Sequence, residues 1–63
     1  MTWRQRWQVW SRLLDGSWLV VDAGSRRHAQ HAAELRTMLA RRYRVTDAEF
    51  IALPADQVPE EFP

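Results

Sequence analysis

Sixty-three residues without a cysteine make one small domain, which hides only about 60% of the surface its unfolded chain exposes and has no disulfide or thiolate-bound zinc to reinforce it. Four tryptophans offer an aromatic-rich core or a surface for self-association instead. The longest apolar run, WLVV at 18–21, is far short of a membrane span, and the N-terminus lacks the apolar stretch of a secretion signal, so the chain reads as soluble and intracellular. The net charge of +1 conceals a division: all nine basic residues are arginines within 4–44, opposed there only by Asp15, Asp22 and Glu34, whereas residues 45–63 carry five acids and no base. Such a split points to an electrostatic partner, or to a tail that meets its own body.

The opening stretch TWRQRWQVWSRLLDGSW supports two conformations. Trp3, Trp7, Trp10 and Leu14 recur at helical spacing, with Thr2 and Gln5 as a capping box and Gly16 as a C-terminal stop. An extended reading is favoured by the next element, SWLVVD at 17–22, a short β-branched run that needs a neighbouring strand for its backbone groups. A hairpin with the three-residue loop Leu14-Asp15-Gly16 supplies that neighbour, Gly16 taking the left-handed position. Leu13 then faces Ser17, Ser11 faces Leu19 and Val9 faces Val21. Trp7, Val9, Leu13, Leu19 and Val21 gather on one side. Gln8, Trp10, Arg12, Trp18, Val20 and Asp22 gather on the other. A two-residue Asp-Gly turn would pair Leu13 with Trp18 and mix apolar with charged residues on both sides, so segregation favours the longer loop.

DAGS at 22–25 reads as a turn, with Ser25 as N-cap of a helix through RRHAQHAAELRTMLARR. At 100° per residue, Ala32, Leu35 and Leu39 centre its apolar stripe, which His28 extends and Ala29 and Met38 flank; Arg26, Gln30, Glu34, Thr37 and Arg41 lie opposite. One stripe covers one sheet face. A third strand is expected within AEFIALP at 48–54, ended by Pro54, and a right-handed crossover places it beside the first. The expected architecture is α+β: ββαβ, a three-stranded sheet in the order 2-1-3 with one helix on one face. Residues 1–54 form the domain and residues 55–63 an extended acidic tail containing proline.

The face away from the helix is the expected binding surface. It carries Trp10, Arg12, Trp18 and Val20, joined by Phe50 or by Ile51 and Leu53, and it suits a twofold dimer or another protein. A fold-back of the tail through Val58 and Phe62 is the alternative cover. Ser25, Arg26 and Arg27 at the helix start form a possible anion site. Arg4, Arg6, Arg12, Arg26 and Arg27 with the same tryptophans support a second reading, a nucleic-acid binder. His28 and His31 have a spacing that can share a metal, but no third ligand is placed, and a packing role is expected. No nucleophile motif and no phosphate loop occur, so the sequence implies no catalysis, cofactor, metal or small-molecule substrate.

The frame WQVWSRLLDGSWLVVDAGSRRHAQHAAELR resembles the small uncharacterised hairpin-then-helix proteins of actinobacteria and their phages, through VWSR, DGSW and the alanine-rich segment ending at Leu35. The resemblance spans residues 7–36 and implies a hairpin, helix and strand fold, residence in the cytoplasm of a bacterium or of a phage-infected cell, and an accessory role exercised by binding. It implies no site residues.

Overall fold

The computed structural model describes residues 5–45 and 48–59. Four elements follow in order: β1 (Trp7–Arg12), β2 (Trp18–Gly24), α1 (Arg26–Arg42) and β3 (Phe50–Pro54). β1 lies in the middle of a three-stranded antiparallel sheet in the order β2-β1-β3, with α1 packed across one side. The α+β architecture and strand order expected from sequence are those of the structure. Thr2, Trp3, Arg4 and Phe62, invoked above, lie outside the described residues.

Local chemistry explains the hairpin. The Leu13 carbonyl accepts from Gly16 N–H at 3.0 Å, the Ser17 carbonyl accepts from Leu13 N–H at 2.7 Å, and Gly16 sits at φ +89°, a conformation that costs a residue with a Cβ roughly 1–2 kcal/mol. Asp15 locks the loop, its Oδ1 accepting from both the backbone N–H and the hydroxyl of Ser17. These bonds hold the Asp15 carboxyl below its usual range, the Ser17 hydroxyl first and the Ser17 N–H second. The Ser11–Leu19 pairing follows as expected.

The register then departs from expectation. Trp10 pairs with Val20, but Val9 pairs with Asp22, so β2 carries one extra residue, Val21, opposite the Val9/Trp10 step. This β-bulge corrects the expected Val9–Val21 pairing. In such a bulge two consecutive residues oppose one and stand on roughly the same side. Val21 packs against the core, and Asp22, expected on the far face, stands on the helix side, where its Oδ2 lies 3.2 Å from His28 Nε2. β2 also runs through to Gly24, opposite Trp7, and the expected four-residue turn shrinks to Ser25.

Ser25 caps α1 as expected, its hydroxyl accepting from His28 N–H at 3.1 Å. At the other end the chain leaves through a Schellman arrangement: Arg44 N–H donates to Arg41 and Val45 N–H to Ala40. Arg44 occupies the left-handed position at φ +59°, where glycine is usual.

The core cluster between sheet and helix is Val9, Ala29, Ala32 and Ala33, against which Trp7, Val21, Phe50 and Ala52 pack. The helix therefore meets the sheet through alanines. Leu35 and Leu39, expected at the centre of the buried stripe, are 42% and 40% exposed. Thr37, expected in solvent, is half-buried, its hydroxyl donating to the Ala33 carbonyl at 2.8 Å. Relative to expectation the helix is rolled by roughly 80°, at 100° per residue. The reason is volume: Trp7 and Phe50 supply the bulk from the sheet, and only small helix residues fit above them at native packing density.

Candidate protein-interaction surface

The far side of the sheet bears Gln8, Trp10 and Arg12 from β1, Trp18 and Val20 from β2, and Ile51 and Leu53 from β3, because strand residues alternate and the pairs Trp10–Val20, Arg12–Trp18, Trp10–Ile51 and Gln8–Leu53 share a face. Five of the six expected interface residues, Trp10, Arg12, Trp18, Val20 and Ile51, are thus brought together. Phe50 is the exception: paired with Ser11 in the same ladder, it faces the helix and packs on the core. Arg12 is engaged with Glu49, the residue before β3, its backbone N–H donating to the Glu49 carbonyl at 3.0 Å and its guanidinium lying 3.4 Å from the Glu49 carboxylate. Val20 is 38% exposed, but Trp10, Trp18, Ile51 and Leu53 are half-buried, so the indoles are not laid open to solvent.

The larger apolar exposure lies elsewhere. Leu35 and Leu39 lie seven and eleven residues after His28 and fall in one row with it along α1, each within about 20° of His28. The His28–Asp22 contact hangs that row over β2. From that contact, Leu35 is about 10 Å along the helix and Leu19 about 10 Å back along the strand, which brings the two level. Leu19 is 53% exposed, Met38 beside the row 57%, and Tyr43 at its end 71%. With Leu35 and Leu39 they leave more large apolar side chains exposed here than on the tryptophan face, and clustered apolar exposure marks interaction sites. Sequence reasoning missed this surface by assigning Leu35 and Leu39 to the core. The signal was present as Ala29, Ala33 and Ala40, a row of small residues on the neighbouring side of the helix.

The candidate anion site is dispersed. The Ser25 hydroxyl is used as the cap, and Arg26 stacks its guanidinium 5.5 Å from the centre of the Trp7 ring, leaving Arg27 exposed on the first turn. Asp22 lies below the usual carboxylate range, held there first by the N–H of Ala23 and next by the hydrogen bond with His28. His28 thus serves as a partner to β2, not as the packing residue expected. Among the described residues no three histidine, cysteine or acidic side chains gather as metal ligands. An open hollow of about 610 Å³ lies beside Phe50, lined by Thr37, Arg41, Arg44 and Glu49 among others. Among the described residues no helix is long and apolar enough to cross a membrane. Comparison with protein-family models, curated proteins and solved structures finds no match for this chain.

Proposed function

We propose that the protein is a non-catalytic protein-interaction module that self-associates through the row Leu35–Leu39 and the adjoining Leu19, an accessory protein acting by binding. One observation carries the reading: the helix buries alanines and leaves its leucines, Met38 and Tyr43 40–71% exposed. A chain this small gains stability by burying them against a second copy. Sedimentation equilibrium tests it. Wild type is expected to dimerise in the micromolar range, and Leu35→Ser/Leu39→Ser to dissociate at least tenfold more readily while keeping its helical circular dichroism, because neither side chain belongs to the buried core. A wild type that stays monomeric to millimolar concentration refutes self-association.

The second reading, nucleic-acid binding, is favoured by exposed arginines at both ends of α1: Arg26 and Arg27 at its start, Arg41, Arg42 and Arg44 at its close. It is weakened by the engagement of Arg12 with Glu49 and by tryptophans that are only partly accessible for base stacking. Salt separates the two readings. Phosphate-driven binding falls steeply with ionic strength, whereas apolar self-association hardly responds.

A further inference from the structure

The sheet has two outer edges, and they differ. β2 is interrupted by the bulge at Val21, a device that spoils an edge as a template for further pairing. β3 pairs with β1 without a register shift. Its phase follows from the bonds at its two ends. The Glu49 carbonyl accepts from Arg12 N–H and Ala55 N–H donates to the Arg6 carbonyl, so by alternation Ile51 and Leu53 also address β1, while Phe50, Ala52 and Pro54 address the open side. The Pro54 carbonyl is met there by Gln57 N–H at 2.9 Å. The outward N–H and C=O groups of Phe50 and Ala52 meet no backbone partner among the described residues.

This edge is one wall of a groove. The hollow beside Phe50 continues along α1 as a second of about 380 Å³, and the two share Thr37, Arg41 and Phe50. The flank of α1 that bears Thr37 and Arg41 lies opposite the leucine row, by about 160°. Of the acids on the walls, Glu49 is held by Arg12 and Glu34 stands about 10 Å along the helix from Arg41. Arg41 and Arg44 have no acidic partner among the described residues. Arg44 lines the groove from the left-handed position, at φ +59°, that glycine fills without strain. A side chain kept at such a cost beside a hollow points to use.

We propose that the β3 edge and this groove take an acidic extended segment of a partner protein as an added antiparallel strand. Strand addition satisfies the outward donors and acceptors of Phe50 and Ala52 together, a demand that a polypeptide backbone matches and a phosphate backbone, which has no donors, does not. Residues paired across a ladder share a face, so the partner residue opposite Phe50 projects to the helix side, where a carboxylate meets Arg41 and Arg44. Its neighbours project to the far face beside the half-buried Ile51, which suits apolar side chains. The partner is thus recognised by alternating acidic and apolar residues. The site lies on the other flank of α1 from the leucine row and stands whether or not the chain self-associates.

Nitrogen-15-labelled full-length protein, titrated at neutral pH with a capped peptide of three Val-Glu repeats, provides the test. In the free protein the Phe50 and Ala52 amides should exchange with solvent at least tenfold faster than those of Ile51 and Leu53, and equal rates would show the edge already closed and overturn the proposal. Millimolar Val-Glu peptide should slow Phe50 and Ala52 at least tenfold and leave Ile51 and Leu53 within twofold. The corresponding Val-Lys peptide should bind at least tenfold more weakly. Arg44→Gly relieves the left-handed strain, so it should raise the urea midpoint of the free protein and yet weaken Val-Glu binding at least fivefold. A purely structural Arg44 predicts the reverse, a lowered midpoint with binding unchanged. That reverse, no protection by the Val-Glu peptide, or equal binding of the lysine peptide overturns the proposal. A random-sequence oligonucleotide that binds more tightly than the peptide assigns Arg41 and Arg44 to phosphate and overturns it as well.

Discussion

The two sides of α1 follow opposite rules. The side against the sheet is built from Ala29, Ala32 and Ala33, while the adjoining row over the β2 edge carries Leu35, Leu39 and, beside them, Met38. In an ordinary amphipathic helix the large residues go inward, because each buried leucine contributes roughly 1.5–3 kcal/mol. Here Trp7 and Phe50 already fill the layer between sheet and helix, and close approach is worth more than an additional large side chain. The lesson is that hydrophobic periodicity locates the apolar half of a helix, and the volumes on the opposing layer decide which part of that half is buried.

The sharpest way to break this contrast is to enlarge one of the alanines. Ala29 is fully buried, so Ala29→Leu must lift α1 from Val9 and the flanking aromatics, and overpacking of this kind costs about 3 kcal/mol. In a domain of this size that is a large part of the total stability. The reverse change on the other side, Leu39→Ala, should cost under about 1 kcal/mol, because the side chain is already 40% exposed. Urea denaturation of the two variants at low micromolar concentration compares them. Equal losses would show that the helix is not seated on its alanines.

Much of the fold was legible because local chemistry wrote it. Asp15 and Gly16 specify the hairpin loop, Ser25 the helix start, and Pro54 the end of β3, each through bonds between residues no more than a few positions apart. The features that escaped depend on distant partners. The bulge at Val21 has no signature in LVVDAG; it is visible only through its effects, Val21 in the core and Asp22 beneath His28. The side taken by Phe50 depends on its register against Ser11, across 38 intervening residues, and alternation alone left Phe50 and Ile51 equivalent. The tryptophan face was read correctly as the side without a helix, because strand alternation fixes it, while the half-burial of Trp10 and Trp18 is not written in the alternation.

A smaller effect tests what holds the leucine row over β2. A Cβ built on Gly24 would lie 2.7 Å from His28 Cδ2 and 3.1 Å from its Cγ, closer than the ring can tolerate in place. Gly24→Ala must therefore swing His28 away from Asp22, at a cost of about 1 kcal/mol, the lower end for an added methyl group in a packed site. The expected signature is a loss of the contact between His28 and Asp22, seen as a changed His28 ring resonance, with α1 otherwise intact. A stability and a ring resonance both unchanged would mean that the clasp does not position the helix.

The smallest expected effect concerns the charge at that clasp. The folded state holds the Asp22 carboxyl below its ordinary range, through the N–H of Ala23 first, the hydrogen bond of His28 second, and more weakly through the charges of His28 and Arg36. A depressed carboxyl contributes stability that is fully present above its unfolded pKa and is lost as the pH falls through the folded one. Wild type should therefore exceed Asp22→Asn in urea midpoint at neutral pH, and the two curves should converge as the solution is taken below the usual carboxylate range. Asp15, depressed by Ser17, lies at the hairpin loop and titrates equally in both proteins, so it cancels from the difference. Because the Asp22 carboxylate is accessible to solvent, screening limits its contribution, and the direction of convergence, not its size, is the diagnostic. Curves that run parallel to low pH would show that the bulge presents Asp22 to His28 without coupling its ionisation to folding, and the leucine row would then be held in place by the alanine packing alone.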